Sequence, residues 1–392
     1  MSGALTTTLN LALFALLALF PPMPRHSSPF NIQFVLGWWI NELPVLGLCW
    51  LVAGTVGTLV APRPGVWWLL VALTALDALL LGRIAVRARS ARPALSEAFR
   101  AVYGPDSAPR PTRPPWWRLV VPIISWRPDV RRVRNRRYGP ARRGNRLDVY
   151  VSRRRRRSEA PVLVYIHGGG FLIGSKMLGA RPLLYRLAAQ GWVCISIDYR
   201  LLRVGYGDQL ADVRAALDWT RANVPAYGGS PEAIFVAGGS AGAHLAAMAA
   251  MAPPSEGGAG TEVRGVIGFY GYYGPVGRSE PGAPASPQDC VSPDAPPFLI
   301  VHGTLDTLVL RRDARAFADR LRASSAQPVV YAELPGTQHN FDFFQSPRFH
   351  AVTDAVVRFA ELTLSPTPTT RPTPPTRPTP TTPPTRPTRP TR

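Results

Sequence analysis

The chain has 392 residues, with 45 Lys+Arg against 24 Asp+Glu and a formal net charge of +21. Its three cysteines, Cys49, Cys194 and Cys290, lie far apart and form no C-x-x-C pair, which leaves no zinc or dithiol redox motif and implies no metal. The only lysine is Lys176, so the excess charge is arginine, and it is concentrated between Arg83 and Arg157 beside an apolar N-terminal region.

The first element expected is an apolar helix at 4–20, "ALTTTLNLALFALLALF". No basic n-region precedes it and no A-x-A-like site follows, so a retained helix is favoured over a cleaved signal. A second span is placed at 44–61, because Asn41, Glu42 and Pro44 sit badly in lipid while Trp38 and Trp39 suit an interface. A third is placed at 66–86, with Trp67 and Trp68 at one end and Arg83 and Arg87 at the other. Asp77 lies inside it and should face another helix or be protonated, since a carboxylate in hydrocarbon is expensive. The arginines after the third span (Arg87, Arg89, Arg92, Arg100) outnumber Arg63 between spans two and three. That asymmetry orients the chain as a multi-pass protein of the cell membrane, with the following domain in the cytoplasm.

Residues 88–144 read as a basic juxtamembrane linker facing anionic lipid, with one plausible helix at "SEAFRAVYG". It lacks the patterned aromatics of a base-stacking module, so no nucleic-acid partner is expected. At the other end, 365–392 is a Thr/Pro/Arg repeat without core-forming residues, expected to be disordered. Threonine/proline tails also resemble O-glycosylated stalks of the outer face, and the arginine asymmetry is given more weight.

Between these ends, 145–364 alternates strands with helices. "RLDVYVS", "PVLVYIH", "WVCISIDY", "AIFVAGG", "VIGFYG", "PFLIVHG" and "PVVYAEL" are strands; "LLYRLAAQG", "DQLADVRAALDWTRANV", "RRDARAFADRLRAS" and "RFHAVTDAVVRFAEL" are helices. This order predicts an α/β fold, a mostly parallel sheet with helices on both faces. Function in such sheets sits at the carboxyl ends of strands.

Four strand ends carry chemistry. Gly238-Gly239-Ser240-Ala241-Gly242 is a G-x-S-x-G between a strand and an alanine-rich helix. A nucleophile on so tight a turn needs Gly238 and Gly242 on either side to avoid collision. Ser240 then requires a base and an orienting acid. Of six histidines, His339 lies in a loop of small residues just after a strand, whereas His26 is in the membrane region and His167 and His302 end strands. His244 is one helical turn past Ser240 and should pack locally; His350 falls in the terminal helix and should lie at the surface. Asp306 ends "PFLIVHGTLD" and is preferred over Asp294 and Asp313. Ser240, Asp306 and His339 follow the chain order of α/β-hydrolases. The fourth end is His167-Gly168-Gly169-Gly170, with neither G-K-[ST] nor G-x-G-x-x-G to make it a phosphate cradle. The N–H groups of Gly169, Gly170 and Ala241 are the expected oxyanion donors.

"YIHGGGF" (165–171), "DYRL" (198–201), "GGSAGAHLA" (238–246), "HGTLDTLV" (302–309) and "LPGTQHNFD" (334–342) together resemble the hormone-sensitive-lipase-like branch of α/β-hydrolase esterases. The resemblance covers about 145–364. It implies an α/β-hydrolase fold, no cofactor or metal, and a serine carboxylesterase or lipase acting on small-molecule carboxylic esters of short to medium acyl chain; the membrane location by itself suggests a lipid ester. Amide or formamide hydrolysis, or acyl transfer, by the same triad is the alternative within enzymes; a non-catalytic ligand-binding hydrolase fold is the alternative outside them. Two departures stand out. Gly239 replaces the aspartate often found before the nucleophile. Neither 88–130 nor the Pro-rich insert at 275–297 offers a sizeable helical cap, which predicts an open site lidded by the basic segment or the membrane.

Overall fold

The computed structural model describes residues 2–24, 32–60, 67–154, 158–202, 204–253, 262–276, 284 and 286–365. His26, Arg63 and the Thr/Pro/Arg tail beyond Ser365 lie outside them. Four helices come first: α1 (Ser2–Leu19), α2 (Ile32–Glu42), α3 (Pro44–Val60) and α4 (Trp67–Ala88). Pro44 at the start of α3 separates it from α2, since proline is tolerated in a first turn but not inside a helix. Among the described residues only the stretch Trp67–Tyr103 is both long and apolar enough to cross a membrane; Leu5–Leu19 and Pro44–Ala53 are apolar but shorter. The expectation of about three spanning helices is thus met by one on length and composition.

The helical layer has a small core of its own, in which Ala15, Ala18 and Leu19 of α1 meet Ile40 of α2 and Leu81 and Ile84 of α4. Asp77 is buried there, as expected of a carboxylate turned toward neighbouring helices. Arg87, near the end of α4, donates to the carbonyls of Ala18 (2.7 Å) and Leu19 (3.2 Å) and so caps the C-terminus of α1.

α5 (Ala91–Tyr103) follows, burying Ala91, Leu95 and Phe99 at a four-residue spacing. After a short α6 (Trp117–Val120) comes an eight-stranded sheet. Its strands are β1 (Val130–Arg137), β2 (Arg146–Ser152), β3 (Ala160–Ile166), β4 (Val193–Ile197), β5 (Gly229–Gly239), β6 (Gly265–Phe269), β7 (Phe298–Gly303) and β8 (Val329–Leu334), in the order β1-β2-β4-β3-β5-β6-β7-β8. The pairs β1–β2 and β2–β4 are antiparallel and the others parallel.

The remaining helices are α7 (Arg181–Ala189), α8 (Tyr206–Asn223), α9 (Ala241–Met251), α10 (Arg311–Ser324) and α11 (Pro347–Leu364). One apolar layer joins α5, α7 and α11 to the sheet, and the opposite layer joins α8, α9 and α10. The sheet begins at Val130, inside the stretch read as a linker. The segment "VRRVRNRR" carries five arginines in eight residues, which hides its strand character. It is held by its pairing with β2 and by Arg132, whose Nε donates to the buried Asp148 (2.8 Å), while its other four arginines line an open sheet edge, a placement that also discourages edge-to-edge pairing. α5 likewise packs within the domain, on the same apolar layer as α7 and α11.

Candidate active site

Ser240 stands between β5 and α9 with φ 53° and ψ −120°. Such a conformation costs a β-carbon-bearing residue on the order of 1–3 kcal/mol, and the surrounding structure has to enforce it. The enforcement is steric. A β-carbon at Gly238 would come 2.3 Å from the Gly242 carbonyl, and one at Gly242 would come 2.1 Å from the Ile166 oxygen. The Ser240 N–H donates to the Phe269 carbonyl at the end of β6 (3.0 Å). The turn is therefore wedged between the ends of β3 and β6.

The glycine loop after β3 lies against this turn. A β-carbon on Gly168 would be 2.7 Å from the Gly239 oxygen and 3.1 Å from the Ser240 β-carbon. Gly169 (φ 122°) and Gly170 (φ 60°) occupy backbone conformations that L side chains rarely adopt. The Gly169 carbonyl closes the loop by accepting from the N–H groups of Leu172 and Ile173, both at 3.1 Å.

His167 anchors the loop. Its buried ring stacks on Tyr199 with centroids 4.4 Å apart, and Nδ1 donates to the Gly168 carbonyl at 2.7 Å. Burial pushes its pKa down. The Tyr199 hydroxyl donates to the His167 carbonyl (3.1 Å). Asp198 holds both the N–H (2.7 Å) and the Nζ (2.6 Å) of Lys176 a few residues beyond the loop. The "DYRL" segment is thus a brace for the glycine loop, a role its sequence does not disclose.

Asp306 and His339 meet where the loops after β7 and β8 converge. His339 Nδ1 lies 2.6 Å from Asp306 Oδ2, and both side chains are buried. Asp306 Oδ1 accepts from the N–H groups of Leu308 (2.9 Å) and Val309 (2.8 Å). Burial acts to raise the Asp306 pKa. His339 and His302 facing it outweigh that, so the carboxyl is held well below the usual range and stays ionised.

His302 is a contact that sequence reasoning missed. Its Nε2 lies 2.9 Å from the Val309 carbonyl and 3.3 Å from Asp306 Oδ2. Gln338 Oε1 accepts from the N–H groups of Thr307 (2.8 Å) and His339 (3.0 Å), stitching the two loops together.

The Tyr270 ring packs on His339 with centroids 4.4 Å apart. Its hydroxyl would lie 2.4 Å from a β-carbon on Gly239, the residue before Ser240. One ring therefore links the serine turn to the histidine loop. It also explains Gly239, because a side chain there would collide with the phenol. That hydroxyl donates to Asp342, as does the Tyr165 hydroxyl (2.6 Å), and the Ala180 N–H adds a third bond (3.0 Å). His244, by contrast, is buried against Tyr272, and burial pushes its pKa down to about 3. His350 is half-buried and bonds Arg186 and Thr112 rather than lying free at the surface.

The cover over His339 is not the basic segment. It is α2. The Phe34 ring stands edge-on to His339 at 6.0 Å, and Trp38 Nε1 donates to the Asn340 carbonyl (3.1 Å) while stacking on Phe344 (5.2 Å). α2 is fastened at its end by a buried ion pair between Glu42 and Arg348, to which Ser346 Oγ (3.1 Å to Glu42) and the Asn41 carbonyl (3.2 Å to Arg348) add hydrogen bonds. Glu42, awkward in lipid, is thus satisfied by the domain below.

Comparison with known proteins bears on this geometry. The BD-FAE family model matches residues 147–272. LipM of Mycobacterium tuberculosis, named as a carboxylic ester hydrolase, is 34% identical over 391 residues, covering 87% of this chain and 88% of LipM. The chain belongs to the hormone-sensitive-lipase-like esterases of the α/β-hydrolase fold. Esterase LipC of the same organism is 34% identical, covering 73% of this chain and 79% of LipC. Among solved structures, the butyrate-bound esterase Est2 of Thermogutta terrifontis aligns with a TM-score of 0.50 at 25% identity, covering 60% of this chain and 94% of that one. The fold is shared.

Proposed function

We propose that this esterase is a membrane-anchored serine carboxylesterase or lipase working through Ser240, His339 and Asp306. The observation that carries the reading is the buried His339–Asp306 bond of 2.6 Å beside a serine turn at φ 53° that the glycine loop covers. Asp306 is acceptor-only when ionised, so His339 Nδ1 carries the proton and Nε2 is left as the base. Ser240 Oγ attacks the acyl carbonyl as His339 Nε2 takes its proton. The N–H groups of Gly169, Gly170 and Ala241 receive the oxyanion. His339 then protonates the leaving alcohol, and water, activated in the same way, releases the acid from the acyl-enzyme.

The surroundings support an apolar ester. Phe34 stands edge-on to His339, Trp38 stacks on Phe34 beside it, and Leu172 and Ile173 beside the glycine loop are 55% and 69% exposed. Anchoring is supported by the apolar surface of the helical layer, where Leu9, Leu13, Trp50, Leu69 and Leu79 are exposed on α1, α3 and α4. These three helices are the proposed spans, with the catalytic domain on the cytoplasmic side. Ser240→Ala tests the core of the reading. It should lower p-nitrophenyl ester hydrolysis by about 10⁴-fold or more and abolish fluorophosphonate labelling. Retained labelling would remove Ser240 from the role.

A further inference from the structure

Residues 112–127 form a hook between α5 and β1 whose two sides differ sharply in chemistry. Its outer side is apolar: Trp116, Ile123 and Trp126 are 75%, 66% and 59% exposed, with Val120 and Val121 between them. Beneath it lies a cavity of about 490 Å³ lined by Arg113, Arg118, Arg127, Arg154 and Arg186, with Asp129 among them.

These arginines are not equivalent. Arg127 is engaged by Asp129 in a two-pronged bond (2.9 and 2.7 Å), and Arg186 by Asp354. Arg113, Arg118 and Arg154 have no ion-pair partner among the described residues. Arg118 is only 9% exposed, and its Nε has no hydrogen-bond partner among the described residues. Arg118 also lies over the Trp117 ring (5.0 Å), and the lining sets five guanidinium groups against the one carboxylate of Asp129, so an anion in the cavity would relieve their mutual repulsion. The planar donor fork of arginine suits phosphate oxygens.

We propose that this cavity binds the phosphate of an anionic phospholipid, with Trp116, Ile123 and Trp126 seated beside it at the headgroup level of the leaflet. Guanidinium groups below and indoles outside match the layering of a membrane interface, where tryptophan is enriched and basic residues meet anionic lipid. The hook also runs beside α3, one of the apolar helices. Two hydrogen bonds tie it to the loop that carries the histidine: Gln345 N to the Pro122 carbonyl (2.9 Å) and Gln345 Nε2 to the Ile124 carbonyl (3.0 Å). Lipid held in the cavity would therefore set the mouth of the site, beneath Phe34 and Trp38, against the leaflet. The proposal rests on the membrane-anchored reading and adds the surface by which the catalytic domain itself meets lipid.

The test uses the full chain in dodecyl maltoside, with Cys49→Ser and Ile123→Cys carrying an NBD fluorophore. Phosphatidylglycerol titrated into the micelles should blue-shift and brighten the emission, and phosphatidylcholine should do so far less. Arg118→Gln with Arg154→Gln should raise the phosphatidylglycerol needed by about 30-fold, since each basic residue contributes roughly equally at an anionic surface. Equal responses to the two lipids, or a response indifferent to the two arginines, overturns the proposal. So does an arginine-dependent response to inorganic phosphate alone, which would mark a free-anion site. Fluorophosphonate labelling of the same samples reports folding and the serine reading separately. Flotation with phosphatidylcholine vesicles reports the anchor separately, because apolar helices partition without anionic lipid.

Discussion

Two buried carboxylates flank the same histidine and are treated in opposite ways. Asp306 faces two imidazoles and two backbone N–H groups, and its pKa falls despite complete burial. Asp342, three residues after His339, faces two phenols and one N–H, and burial pushes its pKa up. Desolvation acts on both. Around Asp306 the imidazoles and their hydrogen bonds outweigh it; around Asp342 the neutral phenol and N–H donors act against it without reversing it. Asp306 is the carboxylate bonded to His339, while Asp342 acts as a peg tying β3, the start of α7 and Tyr270 to the histidine loop.

That contrast can be broken from either side. The largest effect belongs to Asp306→Asn, which keeps the shape but no longer fixes the His339 tautomer; kcat should fall by about 10⁴-fold, read with a p-nitrophenyl ester. Next comes the fastening of α2. Arg348→Met leaves Glu42 buried without its cation and should cost about 3–5 kcal/mol, while adding Glu42→Gln should recover much of it. Apparent Tm of the full chain in detergent reads both.

Asp342→Asn should do less. It loosens the peg beneath Tyr270, and kcat should fall by up to about 10²-fold, the scale of a small misplacement of catalytic groups. Its pH signature distinguishes it from Asp306. A carboxyl raised above 3.8 in the fold contributes stability at low pH and loses it as pH rises through the folded pKa. The wild-type Tm should therefore drop relative to that of Asp342→Asn as pH climbs from about 4. A difference independent of pH would show that Asp342 is ionised throughout. The smallest effect is that of Trp38→Ala, which should raise KM for long-chain esters by about tenfold, some 1.4 kcal/mol, and leave acetate esters nearly unchanged. Equal losses on both would make Trp38 a support of the loop rather than a wall for the acyl chain.

How much of this could be read from the residues depends on how far each signal travels along the chain. The glycines around Ser240 announce their turn because the clash they avoid, Gly238 against Gly242, is local. Asp306 and His339 are found at the ends of strands whose apolar runs are easy to recognise. β1 is not, because four of its five arginines are exposed at a sheet edge and mimic a linker. His302 and Asp342 carry no local signal at all. One ends a strand like any buried residue, and the other is an acid in a loop until Tyr165, Tyr270 and Ala180 converge on it.

The sequence by itself determined the alternation of strands and helices, the family and the order of the residues at the strand ends, because short-range sterics and hydrophobic periodicity are written in neighbouring positions. Only the tertiary structure decided that α2 covers His339, that Glu42 is matched by Arg348 some three hundred residues away, and that Arg118 is gathered with four other arginines around one carboxylate. Those outcomes depend on which distant groups are brought together when water is excluded. Pairing energy under desolvation is a property of the assembled interior, and no stretch of neighbouring residues contains it.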